Sequence, residues 1–148
     1  MKILAKNKKA FHEYEILETF EAGIALQGTE VKSVKNGQIN LRDAYVKIKN
    51  EEALLISCHI AHYEQGNRAN HEETRTRKLL LHKKEILKLL SKVNEQGLSI
   101  IPLKIYLKGN YVKLEIGLAR GKKKYDKRET LKRKEQEREA QRALKQRY

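Results

Sequence analysis

The sequence has few of the residues that several protein classes depend on. Among 148 residues there are one cysteine (Cys58), one proline and no tryptophan, and aromatic side chains make up only 6%. A single cysteine cannot form an internal disulfide or a paired-cysteine metal site. No run of about 18 apolar residues is present, so we expect no membrane-spanning helix. The first residues also lack the apolar segment of a secretory signal, and a reducing, cytoplasmic location fits these absences.

Basic residues are in clear excess over acidic residues in this sequence. Lys and Arg number 33 against 19 Asp and Glu, which gives a formal net charge of +14. Residues 120–148 alone hold 13 basic and 5 acidic residues. We therefore predict a body at 1–119 and a basic tail at 120–148, disordered when free and helical on an anionic partner. The charge favours nucleic acid or an anionic membrane surface as that partner.

The body shows mainly the two-residue hydrophobic alternation of β-strands. We predict strands at 12–20, 24–26, 39–49 and 53–57, and a hairpin formed by 98–107 and 111–118. Because Pro102 lacks a backbone N–H, its position should be an edge or a bulge. These segments predict a small oligonucleotide-binding (OB) type of barrel with about six antiparallel strands.

Two helices are predicted beside the strands. A short one is expected after an N-cap at Thr29 and should end at Gly37. A longer one is expected over 83–94, with Gly97 as its stop and Ile86, Leu87, Leu90 and Val93 on its apolar face. The intervening stretch 64–76 has almost no apolar residue, so we expect it to be a long exposed loop.

Enzymatic chemistry has little support in the residue pattern. His59 and His62 lie beside Cys58, but strand residues three apart point to opposite faces and do not share a metal. No base accompanies Cys58 as a nucleophile, and Glu13, Glu15 and Glu18 fit the solvated face of a strand. We predict no catalytic residue, no metal and no cofactor.

RNA binding has more support. One basic group consists of Arg75, Arg77, Lys78, Lys83 and Lys84, and a second consists of Lys6, Lys8 and Lys9. Such side chains neutralise phosphates without sequence preference. Tyrosines can stack on bases or pack at the barrel rim, and the sequence leaves both interpretations open for Tyr45, Tyr63, Tyr106 and Tyr111.

Six segments then make a family resemblance visible. They are, in order, residues 7–10 (NKKA), 21–24 (EAGI), 28–33 (GTEVKS), 40–45 (NLRDAY), 75–82 (RTRKLLLH) and 121–128 (GKKKYDKR). Together they resemble the SsrA-binding protein family, small protein B (SmpB), over nearly the whole chain. The resemblance implies a bacterial trans-translation factor with an OB-type barrel.

Members of that family bind the tRNA-like domain of transfer-messenger RNA (tmRNA). With the GTPase that delivers aminoacyl-tRNA, they carry it to ribosomes stalled on messages that lack a stop codon. The resemblance implies that the barrel takes the place of the missing anticodon arm at the decoding centre. It also implies that the tail enters the vacant mRNA channel and becomes helical there.

The motif match also assigns individual residues. Glu21, Leu80 and His82 match RNA-binding positions of the family, although many members have Asn where this chain has His82. We add Arg75, Arg77, Lys78, Lys8, Lys9 and Tyr45 as RNA-binding candidates from the basic and aromatic patterns. In the tail, the residues that match the segment needed for tagging are Lys122, Lys123, Lys124, Asp126, Lys127 and Arg128.

Two alternatives stay open beside the adaptor interpretation. A ribonuclease or RNA-modifying enzyme would need a convergent acid–base pair, which the sequence does not mark. A structural ribosomal protein would be present on all ribosomes and not on stalled ones alone.

Overall fold

The computed structural model describes residues 1–64 and 70–121 of the chain. These residues form three helices, α1 (Lys8–Glu13), α2 (Gly28–Lys35) and α3 (Lys83–Gln96). They also form nine strands: β1 (Lys2–Lys6), β2 (Tyr14–Ile24), β3 (Ile39–Asn40), β4 (Tyr45–Lys49), β5 (Glu52–Ile56), β6 (His59–Ile60), β7 (Arg77–Leu80), β8 (Ser99–Lys108) and β9 (Tyr111–Gly121).

Six of the strands close into a barrel. Strand β8 pairs with β4, and the hydrogen bonding continues through β5, β7, β2 and β9 back to β8. Every pairing in this ring is antiparallel. Strand β1 adds to β8 outside the ring, and β3 pairs with β6 in a separate small sheet. The predicted barrel of about six antiparallel strands is therefore confirmed.

The barrel interior holds the main hydrophobic core. Successive strand residues point to opposite faces of a sheet, and one residue in two is buried along most of the ring. Leu55, Leu79, Ile105, Leu114 and Ile116 are among the fully buried side chains. On β2, β4, β5 and β7 the residues between the buried ones form the outer surface of the barrel, where a ligand can bind.

The start of the body differs from the prediction. Residues 12 and 13 belong to α1 and not to a strand, because Asn7 caps that helix. Asn7 Oδ1 accepts a hydrogen bond from Ala10 N at 3.1 Å, and its Nδ2 donates to Leu41 O and Pro102 O. Glu13 therefore lies in a helix, while Glu15 and Glu18 lie on β2 as expected.

Strand β2 runs without interruption to Ile24, so the predicted strand end at residue 20 and the separate strand at 24–26 are wrong. Gly23 pairs with Leu80 on one side and with Lys113 on the other. Pairing on both edges outweighs the weak strand preference of glycine at this position.

The strand predicted over 39–49 is also wrong as a single unit, since it divides into β3 and β4. Asn40 Oδ1 accepts from Arg42 N at 2.9 Å and turns the chain between them. Helix α2 begins at Gly28, with Gln27 as N-cap in place of Thr29. It is followed by Gly37 at φ +73°, which agrees with the predicted end.

The second half matches the prediction closely. Helix α3 ends at Gly97, which adopts the left-handed conformation, and β8 and β9 form the hairpin with a bulge between Pro102 and Lys104. The apolar face of α3 is rotated relative to expectation, because Ile86 and Leu89 are buried while Leu87 is exposed. The loop before β7 also differs, since His71 in it is buried.

Candidate RNA-binding surface

The outer faces of three adjacent strands bring Leu80, Gly23 and Lys113 side by side. Gly23 of β2 pairs in register with Leu80 of β7 and with Lys113 of β9. Glu21 precedes Gly23 by two residues and therefore faces the same side of β2. Residues that are far apart in the sequence thus meet on one surface because the barrel order is β7–β2–β9.

Leu80 is held open to solvent on this surface. Its side chain is 55% exposed, whereas that of Leu79 is 1% exposed. A Cβ on Gly23 would lie 3.1 Å from Leu80 Cβ, so the glycine leaves the space in which Leu80 packs across β2. Leu80 is therefore not a core residue, and the core position belongs to Leu79.

Glu21 is an ionised acceptor with a defined orientation. The Tyr106 hydroxyl donates a hydrogen bond to Glu21 Oε2 at 2.5 Å, and Lys108 Nζ donates to Oε1 at 3.3 Å. The Tyr106 bond and the charges of Lys108 and Lys113 hold the pKa of Glu21 below its ordinary value. A carboxylate offers about four acceptor sites, so Glu21 keeps capacity for donors on a ligand.

His82 stands at the start of α3 beside these residues. Its backbone N–H donates to Glu85 Oε1 at 3.2 Å, and its carbonyl accepts from Glu85 N at 2.9 Å. This capping arrangement fixes the backbone of His82. The imidazole is exposed to solvent, where it can donate, accept or stack.

Glu21, Leu80 and His82 line one groove with a volume of about 590 Å³. We call it the Glu21 groove. Its cationic lining residues are Lys78, Lys83 and Lys113, and its other carboxylates are Glu51, Glu52 and Glu85. Acceptors, donors, an apolar side chain and cations therefore stand together within reach of a single ligand segment.

The burial of Arg77 contradicts the prediction that this residue contacts RNA directly. Its side chain is 0% exposed, and Nε donates to Glu30 Oε2 at 2.5 Å. Its guanidinium also donates to the carbonyl of Cys58 at 2.7 Å and to that of Glu73 at 3.1 Å. Alternation along β7 explains the difference, because Arg77 and Leu79 point inward while Lys78 and Leu80 point outward.

Arg75 belongs to the same buried network and is only partly exposed. Its Nη2 donates to Glu30 Oε1 at 2.6 Å and to the carbonyl of Ala25 at 3.2 Å. Burial raises the pKa of Glu30, but hydrogen bonds from Arg75, the Gln27 N–H and Arg77 outweigh it and leave that pKa below its ordinary value. Sequence reasoning missed Glu30, and the only available signal was an acidic residue in the family segment 28–33.

The second basic group lies elsewhere. Lys9 and Tyr45 line a groove of about 570 Å³ with residues of α3 and β8, and it shares no lining residue with the Glu21 groove. Lys9 Nζ is 3.5 Å from Asp43 Oδ1, whereas Lys8 is exposed. Lys8, Lys9 and Tyr45 therefore do not join Glu21, Leu80 and His82 in one site.

Cys58 is buried, and His59 and His62 both lie next to the carboxylate of Glu73. Burial raises the pKa of the Cys58 thiol to about 12. His59 Nε2 is hydrogen-bonded to Glu73, and His62 Nδ1 lies 3.7 Å from Glu73 Oε1. Among residues 1–64 and 70–121, no group of histidines, cysteines and carboxylates has the arrangement of a metal site.

The candidates in the tail fall outside the described residues. They are Lys122, Lys123, Lys124, Asp126, Lys127 and Arg128. Strand β9 continues to Gly121 and pairs Arg120 with Glu15 and Gly121 with Tyr14. The first two residues of the predicted tail therefore belong to this strand. None of the helices in the described part of the chain has the length and apolar character needed to cross a membrane.

Comparison with known proteins gives one consistent result. The model of a family described as "SmpB protein" matches residues 4–146. The SsrA-binding protein of Carboxydothermus hydrogenoformans is 57% identical over 147 residues, which cover 99% of each chain. That of Shouchella clausii is 59% identical over 146 residues, covering 99% of this chain and 94% of the relative.

A solved structure agrees with these relatives. It is described as "tmRNA-SmpB: a journey to the center of the bacterial ribosome", and its matching chain has a TM-score of 0.69 and 50% identity. The match covers 83% of this chain and 87% of the other.

Proposed function

The chain belongs to the SmpB protein family, and we propose on this basis that it binds tmRNA and takes it to stalled ribosomes in trans-translation. The relatives are SsrA-binding proteins, and the similar solved structure is described as tmRNA-SmpB in the bacterial ribosome. The GTPase that delivers aminoacyl-tRNA takes part through the tmRNA. The chain works where ribosomes are found, in the cytoplasm.

The Glu21 groove carries the proposal for the body of the protein. Three positions that match the RNA-binding pattern of the family, Glu21, Leu80 and His82, line this one groove although they come from three different elements. A carboxylate can accept from base amino groups or from a ribose hydroxyl, and an apolar side chain can pack on a base. Lys78 and Lys113 can neutralise neighbouring phosphates.

Lys8, Lys9 and Tyr45 form a separate surface in this proposal. An adaptor that holds tmRNA while entering the ribosome must contact two RNA molecules. The Glu21 groove binds the tRNA-like domain, and the surface around Lys8, Lys9 and Tyr45 provides a second set of RNA contacts. Arg77 and Arg75 contribute by fixing the loop before β7 and the strand that presents Lys78 and Leu80.

The tail belongs to a second part of the proposal. Lys122, Lys123, Lys124, Asp126, Lys127 and Arg128 act at the decoding centre and in the empty mRNA channel, and the body and tail act as separate units. Catalysis is not part of this function. His59 and His62 are engaged by Glu73, and His71 is hydrogen-bonded to Thr29 and to the carbonyl of Ile60, which supports structural roles for these histidines.

The central experiment is a binding competition. The full chain is titrated with the labelled tRNA-like domain of tmRNA, with an ordinary elongator tRNA as competitor, over a salt series. Nonspecific basic binding falls steeply with salt and ignores the identity of the competitor. We expect the tRNA-like domain to be preferred at physiological salt. Equal binding of both RNAs, lost by about 0.2 M salt, would contradict the proposal.

The tail is tested separately. Truncation after Gly121 leaves the pairing of β9 with β2 intact, so the body should fold and keep its affinity for the tRNA-like domain. Peptide tagging on stalled ribosomes should be lost. A truncated protein that still supports tagging would rule out the role proposed for the tail.

A further inference from the structure

Tyr111 is the tyrosine with the most exposed ring in the described part of the chain. Its exposed fraction is 73%, compared with 44% for Tyr45 and 3% for Tyr106. Tyr63 is partly covered and has Lys32 Nζ 5.3 Å from its ring centroid. Burial of this exposed ring against a ligand would remove its apolar surface from water, which favours binding.

The position of Tyr111 is set by the two-residue turn between β8 and β9. It pairs with Lys108 across the β8–β9 hairpin, and the pairs that follow, Val112 with Leu107 and Lys113 with Tyr106, continue in register. Gly109 makes the turn at φ +62°. The ring therefore projects from a paired, rigid hairpin and is presented with little loss of backbone freedom on binding.

The same register connects Tyr111 with the Glu21 groove. Tyr111 and Lys113 are two residues apart on β9 and share its outer face, and Lys113 lines the groove. Lys108, the partner of Tyr111, donates to Glu21 Oε1 at 3.3 Å. The exposed ring thus extends the row of groove residues beyond Lys113 towards the end of the hairpin.

Cations flank the ring on this extension. Lys113 Nζ lies 6.0 Å from the Tyr111 ring centroid, and Lys108 stands opposite on the neighbouring strand. An aromatic face beside positive charges is the arrangement with which proteins hold a stacked base and its phosphates. An apolar protein partner fits less well, because the neighbours of the ring are charged.

We propose that Tyr111 stacks on an unpaired base of the RNA that occupies the Glu21 groove, while Lys108 and Lys113 contact the adjoining phosphates. The proposal rests on the proposed function and adds a contact to it. The base is unpaired because the deep, narrow major groove of A-form RNA does not admit side chains, whereas loop nucleotides can be turned out and stacked. The ligand of this subsite is therefore a loop nucleotide, not a helical stem.

The absence of tryptophan from the chain allows a direct test. Tyr111→Trp introduces a single fluorescent indole that retains the stacking surface. We expect it to bind the tRNA-like domain of tmRNA with an affinity close to that of the unmodified chain and to lose fluorescence on binding. Leu17→Trp places the indole at an exposed position of β2 that does not line the groove, and its fluorescence should change little.

The second part of the test measures the affinity of Tyr111 variants for the tRNA-like domain. Tyr111→Ala should weaken binding of the tRNA-like domain by about 5- to 100-fold, the range for removal of a stacked base contact, and Tyr111→Phe should restore most of it. Binding by Tyr111→Ala within twofold of the unmodified chain, or unquenched Tyr111→Trp fluorescence in the saturated complex, would overturn the stacking proposal. If the unmodified chain shows no preference for the tRNA-like domain, the proposed function fails instead.

Discussion

The buried hydroxyl of Tyr106 donates a 2.5 Å hydrogen bond to Oε2 of the exposed Glu21 carboxylate. Burial, together with the hydrogen bond and the negative charge of Glu21, raises the pKa of Tyr106 above its ordinary value. The same bond lowers the pKa of Glu21. Tyr106 therefore stays a donor and Glu21 an acceptor over the physiological pH range, which fixes the orientation of a carboxylate that lines the Glu21 groove.

Without the Tyr106 hydroxyl, the Glu21 carboxylate should no longer be held in one orientation. Tyr106→Phe keeps the ring packing but removes the largest cause of the lowered Glu21 pKa, so that pKa should rise towards 4.5. An NMR titration of the Glu21 side-chain carboxyl measures the shift. Affinity for the tRNA-like domain should fall severalfold, and an unchanged Glu21 pKa would exclude Tyr106 as its positioning residue.

Loss of the Glu21 carboxylate should affect RNA binding more than folding. We expect Glu21→Ala to weaken binding of the tRNA-like domain by about 10- to 100-fold, the range for a hydrogen bond to a charged group. Glu15→Ala, at an exposed position of the same strand, is the matched control and should bind normally. Circular dichroism should show both variants folded; normal affinity of Glu21→Ala would leave Glu21 a surface ion-pair residue only.

Substitutions of two adjacent leucines of β7 should have different effects, one mainly on the stability of the fold and the other mainly on RNA binding. Leu79→Ala removes a fully buried side chain and should lower the free energy of unfolding by about 2–5 kcal/mol. Leu80→Ala should lower it by less than about 1 kcal/mol, because Leu80 is largely exposed, yet it should weaken RNA binding. Denaturant unfolding and RNA titration of both variants measure the contrast. A Leu80→Ala variant with full affinity would remove Leu80 from the site.

The buried Glu30 carboxylate should make stability depend on pH. Its pKa in the folded state is below 4.5, so its contribution is complete above that value and is lost as the pH falls through the folded pKa. Glu30→Gln leaves Arg77 without its charged partner and should cost about 3 kcal/mol at neutral pH. The variant should also lose less stability than the unmodified chain between about pH 5 and pH 3.

Denaturant unfolding at a series of pH values measures this effect. Glu15→Gln is the control, because Glu15 is exposed and its Oε2 lies 4.0 Å from Arg120 Nη1. Such surface ion pairs contribute about 0–1 kcal/mol to the free energy of unfolding. Equal stability of Glu30→Gln and Glu15→Gln at neutral pH would show that the buried network does not support the fold.

Cys58 should be chemically inert in the folded protein. Its thiol is buried and its pKa is raised to about 12, so almost no thiolate exists at neutral pH, and the thiolate is the reactive form. Alkylation by iodoacetamide should be slow in buffer and fast in denaturant. Rapid modification under native conditions would show that this part of the barrel opens.

The local pattern of the sequence was sufficient for the elements that depend on local rules. The β8–β9 hairpin follows from alternation on both sides of Gly109, and the end of α3 follows from Gly97 in the left-handed conformation. The bulge beside Pro102 follows from its missing N–H. The family segments contain Glu21, Leu80 and His82, which the structure brings to one groove, but alternation alone did not distinguish Leu80 from Leu79.

Other features required contacts between distant residues. Helix α1 depends on Asn7, which binds carbonyls of Leu41 and Pro102. His71 is buried because Thr29 and Ile60 supply its hydrogen-bond partners. No local pattern records such partners, so the loop containing His71 was expected to be wholly exposed.

By itself, the sequence determined a small basic barrel of antiparallel strands and its membership of an RNA-binding family. Only the tertiary structure decided that Arg77 is turned inward to Glu30, that Tyr106 supports Glu21, and that Tyr111 stands exposed next to the Glu21 groove. The physical reason is that the spacing of hydrophobic residues and the residues that form turns act over only a few positions of the chain. The exposure of a side chain and its contact partners depend instead on which strands become neighbours when the barrel closes.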